Sequence, residues 1–164
     1  MPGKLRFDNL DVSNPKVVTK LLDALSCLAA DARNVHPLEV SKRYYFITPN
    51  GPIVPDAGWY VICNSSYPLY VGTAENLNAR LNSENGSRDQ FANPQRTSDP
   101  ERNFIKSFRS SEVLGPLRVV VISESDLCSK TGVSAPLTKR DRENVEKVLN
   151  LFRDRVVPRT FEVP

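Results

Sequence analysis

Two tyrosines, one arginine and a pair of glutamates are the residues in this 164-residue sequence best suited to chemistry. Tyr60 closes the triplet Gly58-Trp59-Tyr60, Tyr70 opens Tyr70-Val71-Gly72, and Arg80 follows ten residues after Tyr70. Glu143 and Glu146 stand three residues apart in a late stretch of helical spacing. Each type has a defined capability. Arginine stays protonated and presents a rigid fork of donors that suits a phosphate, which lysine does not reproduce. Tyrosine titrates near ~10, so it acts as a base only beside a cation or basic group that lowers this value. A glutamate, with waters and phosphate oxygens, is the usual way of holding Mg²⁺ or Mn²⁺, and one protein ligand suffices. Other chemistries are poorly supplied. His36 is the only histidine, which leaves little for a histidine pair, a zinc cluster or a Ser-His-acid triad. Cys27, Cys63 and Cys128 are odd in number and widely spaced, and they read as buried thiols rather than a disulfide framework or a zinc site.

The run GWYVICNSSYPLYVGTAENLNARL, residues 58–81, resembles the GIY-YIG nuclease family. Trp59 stands where the family usually has an aliphatic residue, Tyr70-Val71-Gly72 is a common variant, and Asn76-Leu77 precede Arg80 as in members reading YxGxxxxLxxRL. Either triplet alone is common in β-hairpins, where tyrosine packs on a half-buried face. The specificity comes from the arginine at its spacing. The resemblance covers about residues 58–158 and implies a metal-dependent endonuclease that hydrolyses DNA phosphodiester bonds to a 5′-phosphate and a 3′-hydroxyl. It implies that Tyr60 accepts the proton of the attacking water or orients that water, that Tyr70 lines the same cleft, and that Arg80 holds the scissile phosphate. The family's metal ligand is a glutamate in a pattern like ExxLI. Glu146-Lys147-Val148-Leu149 matches it, so Glu146 is the expected ligand for Mg²⁺ (or Mn²⁺), with Glu143 as runner-up.

Two departures from the family pattern affect water activation. Glu84 occupies a position where many members have histidine or tyrosine, and it is an additional candidate for base or metal contact. The asparagine often found after the glutamate helix has no clear counterpart. For DNA contact, Arg88, Arg96, Arg102, Lys106 and Arg109 cluster on and after a long loop, while Lys139, Arg140 and Arg142 begin the last helix. Such residues give sequence-independent affinity through phosphates. Asp89, Asp99 and Glu101 interleave with the first set, which equally describes a solvated mixed-charge surface. The compact size resembles the type II restriction enzymes of the family, which allows a homodimer. The rival readings are a catalytically silent DNA-binding module and a nuclease toxin sharing the same core.

The elements that must position these residues follow from periodicity. Residues 14–33 carry apolar side chains at three-and-four spacing, Val17, Val18, Leu21, Leu22, Leu25, Leu28 and Ala29, behind Ser13 or Asn14 as a cap. Pro37 ends helical character, and residues 44–48 suit a short strand. Residues 58–63 and 68–73 form a hairpin around the polar turn 64–67. Leu77 and Leu81 place a helix over about 75–83. Residues 84–102 read as a long loop, and Phe104, Ile105 and Phe108 as a short helix. Residues 117–123 are the clearest buried strand. Thr138 caps a last helix whose stripe is Val145, Val148, Leu149 and Phe152, ended by Pro158.

The sum is one domain of the α/β (α+β) class: a small central, mainly antiparallel sheet of about three strands, flanked by helices, with an N-terminal helical extension. Residues 1–57 are the extension packed on the core, 58–158 the nuclease core and 159–164 a tail. The composition is that of an ordinary globule, 40% hydrophobic and 25% charged. The net charge of +3 permits a nucleic-acid partner without requiring one. No apolar run has the length of a signal peptide or a membrane span, so the expected location is cytoplasmic, with no membrane partner.

Overall fold

A computed structural model describes residues 13–40, 47–49, 53–63, 68–82, 117–132 and 136–157. Helix α1 (Pro15–Ala30) leads through a single 3-10 turn (Ala32–Asn34) into strands β1 (Val35–Val40) and β2 (Ile47–Pro49). Strands β3 (Gly58–Cys63) and β4 (Pro68–Ala74) form the hairpin, and α2 (Leu77–Asn82) follows at once. After β5 (Leu117–Ser123) come α3 (Glu124–Thr131) and α4 (Lys139–Val156). The class is the expected α+β arrangement of an antiparallel sheet flanked by helices.

The sheet has five strands in the order β2-β1-β5-β3-β4, and every pairing is antiparallel. This corrects the expected count of about three. The two extra strands come from residues assigned to the extension: β1 pairs with β5 over Val35 to Leu38, and β2 adds beyond it. The reason is the exposed flank of β5, whose backbone donors and acceptors need partners. Pro37 lies within β1, and β2 pairs with β1 only from Leu38 onward. A residue without an N–H is tolerated where a neighbouring ladder ends.

Strand alternation divides the core into two layers. Trp59, Val61, Cys63, Val71, Val120 and Ile122 face α1, α3 and α4, which contribute Leu21, Leu25, Leu127, Val145, Val148 and Leu149. Tyr60, Ile62, Tyr70, Ala74, Val119 and Val121 face the other way, where Leu77 and Leu81 of α2 and Ile53 cover them. Strand β3 is therefore buried along its whole length. Each fully buried leucine of these layers contributes roughly 2 kcal/mol by removal from water. Asn14 caps α1 by accepting from the Lys16 N–H at 3.0 Å, and Pro15 fills its first turn. Cys63 and Cys128 are buried and Cys27 is exposed, which corrects the expectation of three buried thiols. Burial pushes the Cys63 thiol up to about 11. Phe152 leaves the expected stripe: its backbone is non-helical (φ −121°, ψ 23°) and its side chain is 37% exposed. Among the described residues no helix is long and apolar enough to cross a membrane.

Both glycines of the two triplets are explained by close approach. Gly72 sits opposite Tyr60 across the hairpin, and a Cβ there would overlap the Tyr60 ring and hydroxyl. Gly58 lies between β4 and β5, where a Cβ would run into the Ile122 carbonyl and come within 2.9 Å of Leu77 Cδ1. Gly72→Ala is expected to lower stability by about 1–3 kcal/mol, the usual range for overpacking a filled site. Thermal unfolding checks this, and an unchanged Tm would mean that the Tyr60 ring has room to shift.

Candidate active site

The site is built where the edge strand β4 ends. Four residues of backbone, Thr73 to Asn76, carry the chain from the sheet into α2, and Asn76 caps that helix by accepting from the Ala79 N–H at 2.9 Å. The segment before β3 fixes two helix starts at once. The Asp56 carbonyl accepts from the Leu77 N–H at 2.7 Å, and the Ala57 carbonyl from the Glu124 N–H at 2.8 Å. With Leu77 and Leu81 buried on the sheet, α2 has one possible rotation, and it turns Arg80 toward α4.

Helix α4 approaches from the opposite face of the sheet. Thr138 caps it, accepting from the Asp141 N–H at 3.1 Å. The buried Trp59 indole donates to the Arg142 carbonyl at 3.0 Å, an anchor from β3 to the first turns of α4. Between α2, α4 and the end of β4 lies a cleft of about 610 Å³, lined by Arg80, Glu143, Glu146, Lys139, Arg142 and Thr73 together with the turn 74–76 and Ala79. Thr73 Oγ1 donates to Glu146 Oε2 at 2.5 Å. No acidic side chain among the described residues pairs with Arg80.

The structure thus brings Arg80, Glu146 and the runner-up Glu143 to one cleft, whose lining does not include Tyr60 or Tyr70. Tyr60 and Tyr70 share a face, as register requires, with ring centroids 6.1 Å apart. They are 1% and 5% exposed within the α2-side layer, and neither lines the cleft. The period of two sets these faces. Tyr70, Gly72 and Ala74 belong to the α2 face, whereas Thr73, which reaches Glu146, belongs with Val71 to the α4 face.

The basic residues divide in the same way. Arg142 lines the cleft, but its Nε donates to Glu124 Oε1 at 2.8 Å, and Glu124 is 6% exposed. Glu124 Oε1 also accepts from the Leu137 N–H at 3.2 Å. Arg142 is therefore tied through its Nε into a largely buried pair that fastens α3 to α4 while it lines the cleft. Arg140 is exposed and outside the cleft lining, while its neighbour Lys139 is part of it. Glu84, Arg88, Arg96, Arg102, Lys106 and Arg109 lie outside the described residues, as do the loop 84–102, the helix expected around Phe104 and the tail 159–164. His36 is half-buried on β1, away from the cleft, and burial lowers its pKa.

Removing one partner of the Glu124–Arg142 pair leaves a charge without compensation. Glu124→Ala is expected to cost about 3–5 kcal/mol in denaturant unfolding. A loss below about 1 kcal/mol would show that the pair is solvated and does not fasten the helices.

Sequence reasoning missed Glu124 and Thr73. Thr73 had a readable signal, since alternation from Val71 places it opposite to Tyr70 and Gly72. The donors of the cleft suit a hard cation held by one or two carboxylates: Glu146 and Glu143 lie one turn apart, and the cleft is open to water and phosphate oxygens. Among the described residues no three Asp, Glu, His or Cys side chains converge into a ready-made cage. Comparison of the chain with protein-family models, with curated proteins and with solved structures returns no match.

Proposed function

We propose that the chain is a metal-dependent endonuclease that hydrolyses DNA phosphodiester bonds, of the kind found in GIY-YIG nucleases and acting as a restriction-type enzyme. The observation that carries this reading is the meeting of Arg80 and Glu146 in one cleft. They come from helices far apart in the chain, and each stands at the position that the motif assigns to it.

Arg80 binds the non-bridging oxygens of the scissile phosphate through its two-pronged donor face and stabilises the charge that grows on them. Glu146, with Glu143 beside it, would hold Mg²⁺ or Mn²⁺. A cation bound there supplies Lewis-acid stabilisation of the phosphoryl group and lowers the pKa of bound water. Lys139 adds a positive charge at the rim of the cleft. The tyrosine rings support this site by packing under α2, and any chemical part played by their hydroxyls enters through the family resemblance.

The burial of both tyrosines favours one second reading, a DNA-binding module that retains the hairpin as structure and does not cut. Digestion of a long, defined DNA with Mg²⁺ or Mn²⁺ tests the choice. Discrete bands are the expected result for a restriction-type enzyme. A smear would indicate cutting without sequence preference, as in a nuclease toxin. Binding without any cutting, with either metal, would overturn the nuclease reading in favour of the silent module.

A further inference from the structure

We infer that Thr73 is a positioning residue for Glu146: its hydroxyl fixes one oxygen of the carboxylate so that the other is presented to a cation in the cleft. The inference rests on the nuclease reading and extends it to a residue that the motif leaves variable.

Thr73 is well placed as a fixed donor. It lies in the β3–β4 ladder opposite Trp59, and its β-branched side chain has few χ1 choices. Its hydroxyl donates to Glu146 Oε2 at 2.5 Å, in the range of short, charge-assisted bonds. A hydroxyl has a single proton to give, so it engages one carboxylate oxygen and leaves the lone pairs of the second for another ligand. The cross-strand partners meet α4 at two points. Trp59 holds the helix backbone through the Arg142 carbonyl, one turn before Glu146, and Thr73 holds the Glu146 side chain itself.

The arrangement also separates the two glutamates. Glu143 is exposed, and no described residue donates to its carboxylate. A glutamate free in solution spreads over many rotamers, and ordering it on binding carries an entropic cost. Thr73 removes that cost for Glu146 alone. Groups that orient a metal-binding side chain in this way typically change metal affinity by about 10–100-fold when removed.

The test is direct Mn²⁺ binding to the full chain, by calorimetry or by electron paramagnetic resonance of the free ion, beside cleavage of plasmid DNA. Thr73→Val keeps shape and β propensity while removing the hydroxyl, and it is expected to weaken Mn²⁺ binding about 10–100-fold. Thr73→Ser restores the donor and should bind within about threefold of the native chain. Thr73→Ala repeats the measurement if valine disturbs the strand. In a Glu146→Gln background, Thr73→Val should cause no further weakening, because its effect passes through that carboxylate. Native-like Mn²⁺ binding by the valine variant, no recovery with serine, or an equal loss in the Glu146→Gln background would each overturn the inference. A native chain that neither binds Mn²⁺ nor cuts would overturn the nuclease reading and this inference with it. A native chain that does both, with an unaffected valine variant, would remove only Thr73.

Discussion

Glu146→Gln is expected to abolish metal-dependent cleavage while leaving the fold and DNA affinity largely intact. The change exchanges one oxygen for an amide of nearly the same shape and removes the negative charge. A hard divalent cation held by few protein ligands depends on that charge, and a neutral amide oxygen is a much poorer donor. The fold has little reason to respond. Glu146 is only half-buried, and the contacts that fix α4 run through other residues: the Trp59 bond to the Arg142 carbonyl, the Glu124–Arg142 pair and the apolar side chains Val145, Val148 and Leu149. The control is Glu143→Gln. Glu143 shares the cleft, but it is exposed and no described residue donates to it as Thr73 does to Glu146, so its loss should slow cleavage much less. Rates are measured on plasmid DNA across Mg²⁺ and Mn²⁺ concentrations, with thermal melts alongside. Full activity in Glu146→Gln combined with loss in Glu143→Gln would transfer the ligand role to the earlier residue.

The contrast between these glutamates also shows what the sequence can and cannot convey. Segments with strong periodicity were legible: Leu117–Ser123 as a strand, Thr138 as the cap of the last helix and Asn14 as the cap of the first all occur as read, although the first helix stops at Ala30 rather than Arg33. Strand β1 was not, because Val-His-Pro-Leu-Glu-Val contains a proline and lacks clean alternation, and only the open flank of β5 makes it a strand. Helix α3 was not, because Glu-Ser-Asp-Leu-Cys-Ser-Lys-Thr offers just Leu127 and Cys128 to the core, too few to register as a stripe. In the site, Arg80 and Glu146 could be picked out by motif spacing. Their relation to the tyrosines could not. Alternation establishes that Tyr60 and Tyr70 share a face, but it does not say which helix stands over that face. Here α2 covers it and α4 lies behind the sheet. Pairing partners such as Glu124 for Arg142 are equally invisible, since they depend on how distant segments meet.

Arg80→Lys is expected to slow cleavage at least about a hundredfold with DNA affinity roughly unchanged. Both side chains carry a positive charge, so the long-range attraction to phosphate persists. What lysine lacks is the planar fork. Arginine can set two parallel N–H donors against two phosphoryl oxygens, whereas an ammonium offers a point charge on a flexible stem. Charge on those oxygens grows in the transition state, so losing a preorganised donor affects the rate more than binding, typically by 10²–10³-fold, or about 2.7–4 kcal/mol. The position suits that use. Leu77 and Leu81 fix the rotation of α2, the Asn76 cap and the Asp56 carbonyl fix its start, and Arg80 reaches the cleft with no carboxylate among the described residues to occupy it. Arg142 is the instructive comparison, because its Nε is already engaged by Glu124. Replacing Arg142 should therefore show mainly as lost stability, whereas Arg80→Lys should melt like the native chain. The measurements are single-turnover cleavage and DNA affinity at one fixed salt concentration. Equal losses of rate and affinity in Arg80→Lys would reduce Arg80 to a phosphate anchor, and an unchanged rate would remove it from the site.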